Sequence, residues 1–169
     1  MRAFFKVFAA VANLAVVDAV AKELAASVLA GSSPIAVVPG FFDLAYVENR
    51  GCAWGMFQGQ VWPLASFGAV ALAALVWKRR DVFLSFGGGW RCAFGVVAEP
   101  LLYAGIVGNL VDRMFRGFVI DFLDFHWGVH HFPCFNLADS YITVAAALLV
   151  VASFGVGVAP AAKEGPAGK

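Results

Sequence analysis

Charge is scarce in this sequence. Only 14% of its 169 residues are Asp, Glu, Lys or Arg, while 62% are hydrophobic; soluble domains carry about 25% charged and about 45–50% apolar residues. With a mean hydropathy of +0.81, a disordered chain, a coiled coil and an ordinary soluble domain are all excluded. A net charge of +1 leaves no electrostatic footprint for a polyanion, so no nucleic-acid partner is expected. Cysteine is sparse too: Cys52, Cys92 and Cys134 are widely spaced with no C-x-x-C, which implies neither a disulfide framework nor a zinc cage and reads as three small buried hydrophobes. Several catalytic signatures are missing. The Gly87-Gly88-Gly89 run lacks the Gly-Lys-Ser/Thr ending of a phosphate loop and reads as a flexible connector. No G-x-S-x-G is present, and no internal repeat supports an inverted-repeat transporter.

What is present is long apolar runs. A bilayer core of about 30 Å takes roughly 20 apolar residues per helix, and four such runs occur, at about 4–29, 61–77, 92–111 and 141–158. The N-terminal run has a basic start like a secretory signal, but Asp18 and Lys22 interrupt it. Arg2, Lys6, Lys78, Arg79, Arg80, Arg91, Lys163 and Lys169 fall on one side of these spans, and Arg50, Arg113 and Arg116 on the other. Cytoplasmic loops retain basic residues, so both termini are expected in the cytoplasm. The expected fold is therefore an integral membrane protein, mainly α: a four-transmembrane-helix bundle forming one domain over residues 1–169. It carries a small extracytoplasmic β-rich segment at the membrane surface, because apolar and aromatic residues between Pro39-Gly40 and Gly51 read as short strands. The outward segments are about 31–60 and 112–138, flanked by Trp54, Trp62 and Trp127 as interfacial aromatics, and a Pro/Gly/Ala/Lys-rich tail at about 160–169 reads as disordered.

Ionisable groups at membrane depth are expensive, so each is a functional candidate. Asp18 and Lys22 are four apart on one helical face, either a structural ion pair or a substrate contact. Glu99, before Pro100, reads as a protein-facing carboxyl that is neutral or paired. Asn109, Asp112 and Arg113 gather on one face at the outer end of span three, where Arg113 can hold carbonyls or a lipid ester. Asp121 interrupts the strand-like run Val119–Phe125, and Asp139 opens span four as a helix cap or a catalytic group. Two aspartates brought close share one proton, so that one serves as base toward water and the other as acid. That is aspartyl-protease chemistry. His126 and His130 are spaced i, i+4 with His131 following, but Trp127 stands where H-E-x-x-H needs Glu. No metal and no cofactor is therefore expected. A transporter or proton-conducting protein using Asp18, Asp121 and Asp139 as relay groups is the alternative. It wants ionisable residues strung through the bilayer, whereas most here cluster at the outer face.

Five motifs occur in order: Asp-x-x-x-Lys (Asp18, Lys22), Asn-x-Gly-x-Ala-Trp-Gly (Asn49 to Gly55), Gly-Asn-x-x-Asp-Arg (Gly108 to Arg113), Val-x-Asp-Phe (Val119 to Phe122) and Phe-Asn-x-Ala-Asp-Ser (Phe135 to Ser140). Together they resemble the bacterial lipoprotein signal peptidases, signal peptidase II, over nearly the whole chain. The resemblance implies an aspartyl endopeptidase of the bacterial inner membrane, working at its extracytoplasmic face. Its partners would be membrane lipids and a diacylglyceryl-modified prolipoprotein, cleaved just before the lipidated cysteine. It implies Asp121 and Asp139 as the catalytic pair, with Asn49, Asn109, Asp112, Arg113, Asn136, Asp18 and Lys22 supporting the substrate site. Departures exist: the family usually shows Asp-Gln-x-Thr-Lys where this chain has Asp18-Ala19-Val20-Ala21-Lys22, and Cys52 and Cys134 replace commonly small residues. The loop from His126 to Pro133 is expected to act as a lid.

Overall fold

A computed structural model describes residues 2–86 and 88–154. Gly87, the tail at about 160–169 with Lys163 and Lys169, and the last residues of the fourth expected span lie outside the described residues. In chain order the elements are α1 (Arg2–Leu29), β1 (Ile35–Val38), β2 (Phe42–Asn49), a turn of 3-10 helix (Ala53–Gly55), α2 (Val61–Trp77), α3 (Arg79–Phe83), α4 (Trp90–Phe115), β3 (Val119–Trp127), β4 (His130–His131) and α5 (Leu137–Ser153). The protein is mainly helical with one small antiparallel sheet.

Helix α1 reverses the polarity of a soluble helix. Asp18, Lys22, Ala25 and Leu29 form its buried stripe, while Phe4, Phe5, Phe8, Val16, Val20, Leu24 and Val28 are exposed. Apolar side chains facing outward around a polar seam suit a lipid surround, where packing and hydrogen bonding between helices replace the hydrophobic drive. α1 (from Phe4) and α4 are long and apolar enough to cross a membrane; α2 and α5 are apolar but have 17 residues each. Helix α4 packs on α5 and on α1 through missing side chains. A Cβ on Gly105 would lie 2.5 Å from the Ala138 carbonyl oxygen, and one on Gly108 would lie 2.6 Å from Asp18 Oδ2. Small residues at such seams let backbones approach closely. At the other end of α4, Phe83, Ala98, Tyr103 and Ala145 make a buried cluster.

Four boundaries differ from the sequence reading. Helix α4 extends to Phe115, so Asp112 and Arg113 are helical and not part of the outward segment. Helix α5 begins at Leu137, four residues earlier than expected, because Asn136 and Asp139 form a reciprocal capping box: the Asn136 side chain accepts from Asp139 N, and Asp139 from Asn136 N. The connector between spans two and three contains α3. Pro39-Gly40 is the turn inside the first hairpin, closed by Phe41 N–H donating to Val38 O, and not its leading edge.

Strands run in the order β1-β2-β3-β4, all antiparallel. The β2/β3 register sets Val47 opposite Asp121 and Asn49 opposite Val119. Gly117, at φ +77°, makes the left-handed turn from α4 into β3. The sheet thereby delivers β3 to the C-terminal ends of α1 and α4 and the N-terminal end of α5.

Candidate active site

Each aspartate is held by asparagines. Asp121 on β3 accepts from Asn136 Nδ2 at 2.7 Å on one oxygen and from Asn49 Nδ2 at 2.9 Å on the other. Asp139 on α5 accepts from Asn109 Nδ2 at 2.7 Å and from the Asn136 backbone N–H at 3.3 Å. The amide orientations are fixed by what their oxygens accept. Asn49 Oδ1 takes the Gly51 N–H and Asn136 Oδ1 the Asp139 N–H, each at 2.9 Å, so both NH2 groups turn toward Asp121. Asp139 therefore both caps its helix and faces the cavity, so cap and site residue coincide.

Both carboxylates line one cavity of about 500 Å³, with Asn49 and Arg113 among its polar neighbours and Trp54, Phe132 and Ile142 among its apolar ones. A second, apolar cavity of about 990 Å³ between α2 and α4 also reaches Asn109, Arg113 and Asp139. Arg113 spans the two, donating to the carbonyls of Asn109 (3.2 Å) and Gly51 (3.0 Å). It fastens the Gly51 turn to α4. Burial pushes the Asp121 carboxyl up to about 7, with the Asp139 charge adding and the asparagine donors opposing. Burial likewise pushes the Cys134 thiol to about 12, leaving it inert near neutral pH.

Behind this pocket is an ionic cluster. Lys22 Nζ lies 2.8 Å from Asp18 Oδ2, 3.0 Å from Asp112 Oδ2 and 3.2 Å from Asn109 Oδ1. Asp18 Oδ1 accepts from Ala138 N at 2.9 Å, and Asp112 also accepts from Arg116 and from Ile120 N. Lys22, Asp18, Asp112 and Asn136 are buried and are absent from the residues lining the two cavities. They tie α1, α4, β3 and α5 together from behind, whereas Asn49, Asn109, Arg113, Asp121 and Asp139 reach one or both of these two cavities.

The histidines sit apart. His126 Nε2 is 3.4 Å from Asp43, His131 Nδ1 is 2.9 Å from Asp124, and the two rings stack at 4.8 Å. Near-parallel rings do not aim their lone pairs at one ion, and among the described residues no three or more His, Cys, Asp and Glu side chains are gathered as a metal site would need. Half of the expected lid segment is strand: His126 and Trp127 end β3, and His130 and His131 form β4. Its last two residues, Phe132 and Pro133, line the pocket together with Cys134, and Phe132 meets Trp54 edge-to-face at 5.7 Å. Sequence reasoning missed this wall because no local pattern marks it. It also missed the need for glycine at 51, where a Cβ would collide with the Met56 carbonyl.

An apolar helical fold with two carboxylates, each held by asparagines, in one apolar-walled pocket defines the class: a small membrane enzyme. Two solved structures described as a bacterial membrane enzyme align with it. One, at 1.9 Å, gives a TM-score of 0.74 at 29% identity, covering 89% of this chain and 94% of that one. The other, at 2.3 Å, gives 0.72 at 29%, covering 88% and 87%. The family model for signal peptidase (SPase) II matches residues 10–155, and the chain belongs to that family. Among its relatives, the lipoprotein signal peptidase of Symbiobacterium thermophilum is 41% identical over 134 residues, 79% of this chain and 84% of that protein. The lipoprotein signal peptidase of Syntrophotalea carbinolica is 38% identical over 162 residues, 91% and 94%.

Proposed function

We propose that this protein is an aspartic-type endopeptidase that removes signal peptides from diacylglyceryl-modified prolipoproteins, cutting just before the lipidated cysteine. Family membership supports peptidase action on lipoprotein precursors. The observation that carries the aspartic mechanism is the pair Asp121/Asp139, each held by asparagine amides in one pocket. Asp121, protonated near neutral pH, donates to the scissile carbonyl oxygen while Asp139 takes a proton from the attacking water. On collapse of the tetrahedral intermediate the C–N bond breaks, Asp139 passes that proton to the leaving nitrogen, and Asp121 takes back the proton from the hydroxyl as the carbonyl reforms. Arg113 and Asn49 bind the peptide backbone beside the pair. Asp18, Lys22, Asp112 and Asn136 hold the site from behind, and Asn109 orients Asp139.

The chain reads as one domain crossing the bacterial inner membrane four times, through α1, α2, α4 and α5. The basic residues of the α2–α4 connector favour a cytoplasmic side for both termini, since cytoplasmic loops retain Lys and Arg, and leave the sheet on the opposite side. Lateral entry then lets an apolar signal peptide reach the pair without leaving lipid. Sheet backbone wraps the site, since unpaired amides in hydrocarbon cost several kcal/mol each. The transporter alternative fits less well, because the family match supports peptidase action and Asp18, Asp121 and Asp139 gather in one cluster at one end of the helices instead of along a path through them.

The test is a gel-shift assay with detergent-purified protein and a prolipoprotein in lipid-modified and unmodified forms. Cleavage of the modified form alone is expected; no cleavage of either by folded protein overturns the proposal. The same assay run against pH is expected to show turnover falling as pH rises through about 7, where Asp121 loses its proton. Turnover holding level from pH 6 to 9 would remove Asp121 from the acid role.

A further inference from the structure

Beside the aspartate pocket lies an open cleft of about 450 Å³ that shares Trp54, Phe132, Pro133 and Cys134 with it. The two spaces are therefore continuous past the contact between Trp54 and Phe132. At one end the pocket runs along the first turns of α5, lined by Ser140, Ile142, Thr143 and Val144. At the other end, among the described residues, the walls of the cleft are only the turn after β2 and the stretch from β3 to Cys134, with no residue of α1, α2, α4 or α5. Besides the Cys134 thiol, its ionisable groups are Asp124 and His131. The Asp124 side chain is only 14% accessible, and His131 Nδ1 approaches its two oxygens at 2.9 and 3.0 Å. A carboxylate offers about four acceptor positions, and among the described residues no other side-chain or backbone donor is bonded to this one. Asp43 stands opposite Asp124 across the β2/β3 register, and among the described residues no Lys or Arg lines the cleft.

We infer that this cleft receives the second and third residues of the mature chain, counted from the lipidated cysteine, and that Asp124 selects against acidic residues there. The inference rests on the peptidase reading and deepens it by adding a specificity-determining residue. A signal peptide held in the membrane comes to the aspartates from the apolar side, along α5, and the acyl chains on its cysteine belong with the apolar cavity between α2 and α4. The chain beyond the cut is headed for water, and the cleft is the way out of the pocket that the sheet and turns provide. An extended chain advances about 3.3 Å per residue, so two residues reach about 7 Å beyond the scissile bond, a span that leads from one space into the next. A backbone N–H or a lysine ammonium there meets unused acceptor positions on Asp124, whereas a carboxylate meets Asp124 with Asp43 behind it. Discrimination then comes from repelling the wrong chain as well as from attracting the right one. At a site open to water, turning one such contact from attractive to repulsive changes kcat/KM by about fivefold.

The test uses detergent-purified full-length protein and two lipid-modified prolipoproteins that differ only in carrying two lysines or two glutamates as the second and third mature residues. In competition, kcat/KM for the lysine form is expected to exceed that for the glutamate form about fivefold, shrinking toward one as salt rises to about 0.5 M. In Asp124→Asn, whose amide oxygen can still accept from His131, the ratio is expected to fall to about one. A carboxylate that merely clasps β4 to β3 would, when replaced, lower both substrates alike and leave the ratio unchanged. Cleavage of neither form by folded protein ends the peptidase reading, and this inference with it. Equal cleavage of the two by the parent leaves that reading standing and overturns the inference alone, as does a fivefold ratio that survives in folded Asp124→Asn. If that variant does not fold, a photoreactive side chain at the third mature position decides, in Asp139→Asn protein that leaves the substrate uncut. Crosslinks at Trp54 or at His131 and Phe132 support the assignment, and crosslinks that miss both segments overturn it.

Discussion

Asp139→Asn is expected to abolish turnover of lipid-modified prolipoprotein, by about 10³-fold or more, while the protein still folds and inserts. General acid–base catalysis by one positioned group contributes about 10²–10⁴-fold, and an amide cannot take a proton from water. The structural cost is small and calculable from the contacts. The asparagine oxygen can keep the bond from Asn109 Nδ2, now at 2.7 Å, while its NH2 would face the Asn136 backbone N–H across the longer 3.3 Å contact. One half of the capping box is lost, worth about 1 kcal/mol. Asp121→Asn should be equally inactive. Both Asp121 oxygens accept from amide NH2 groups, so one donor meets a donor, costing about 1–3 kcal/mol. Gel-shift turnover beside thermal unfolding in detergent separates the two effects. Activity in Asp139→Asn comparable to the parent would end the paired-carboxylate mechanism whatever the melting curve showed.

The apolar runs were legible because span length and hydropathy are local properties. The second run, 61–77, coincides with α2, and the strand-like run from Val119 is β3. Local patterning failed where a boundary depends on a partner. Span three was cut short at Val111 because Asp112 and Arg113 look like the start of a loop, yet Lys22, Arg116 and the Ile120 N–H supply the partners that let Asp112 stay buried in a helix. The motif residues were all visible, but their division of labour was not. Asn49 and Asp121 are 72 residues apart, Lys22 and Asn109 are 87, and Asp18 and the Ala138 N–H are 120. Such pairings leave no trace in a helical or strand period. The wall made by Trp54 and Phe132 has no sequence signature either, since aromatics at a membrane surface are expected without any pocket.

Arg79→Ala is expected to destabilise the protein strongly without touching the chemistry. Glu99 lies within α4 at 1% exposure, and its partner is Arg79, the first residue of α3. The guanidinium grips both carboxylate oxygens, Nη2 reaching Oε2 at 2.9 Å and Nε meeting Oε1. The sequence reading of a paired, protein-facing carboxyl thus finds its cation 20 residues upstream. α3 is pressed against α4 at the same place: Phe83 is fully buried, and a Cβ on Gly95 would collide with its carbonyl. Removing one partner of a buried pair leaves an uncompensated charge and costs about 3–5 kcal/mol. Arg79 is partly exposed, with 31% of its side chain accessible, so water screens part of the pair and the low end, about 3 kcal/mol, is expected. For a domain of this size that lowers Tm by about 10 °C. Arg79→Leu with Glu99→Leu removes both charges and is expected to recover most of the loss, because apolar replacement of a buried pair is often neutral. Glu99 is ten residues from Asn109 along α4, about 15 Å, so turnover well below Tm should match the parent in both variants. An Arg79→Ala protein as stable as the parent, or a double variant no better than the single, would show that Glu99 is satisfied by something other than this pair.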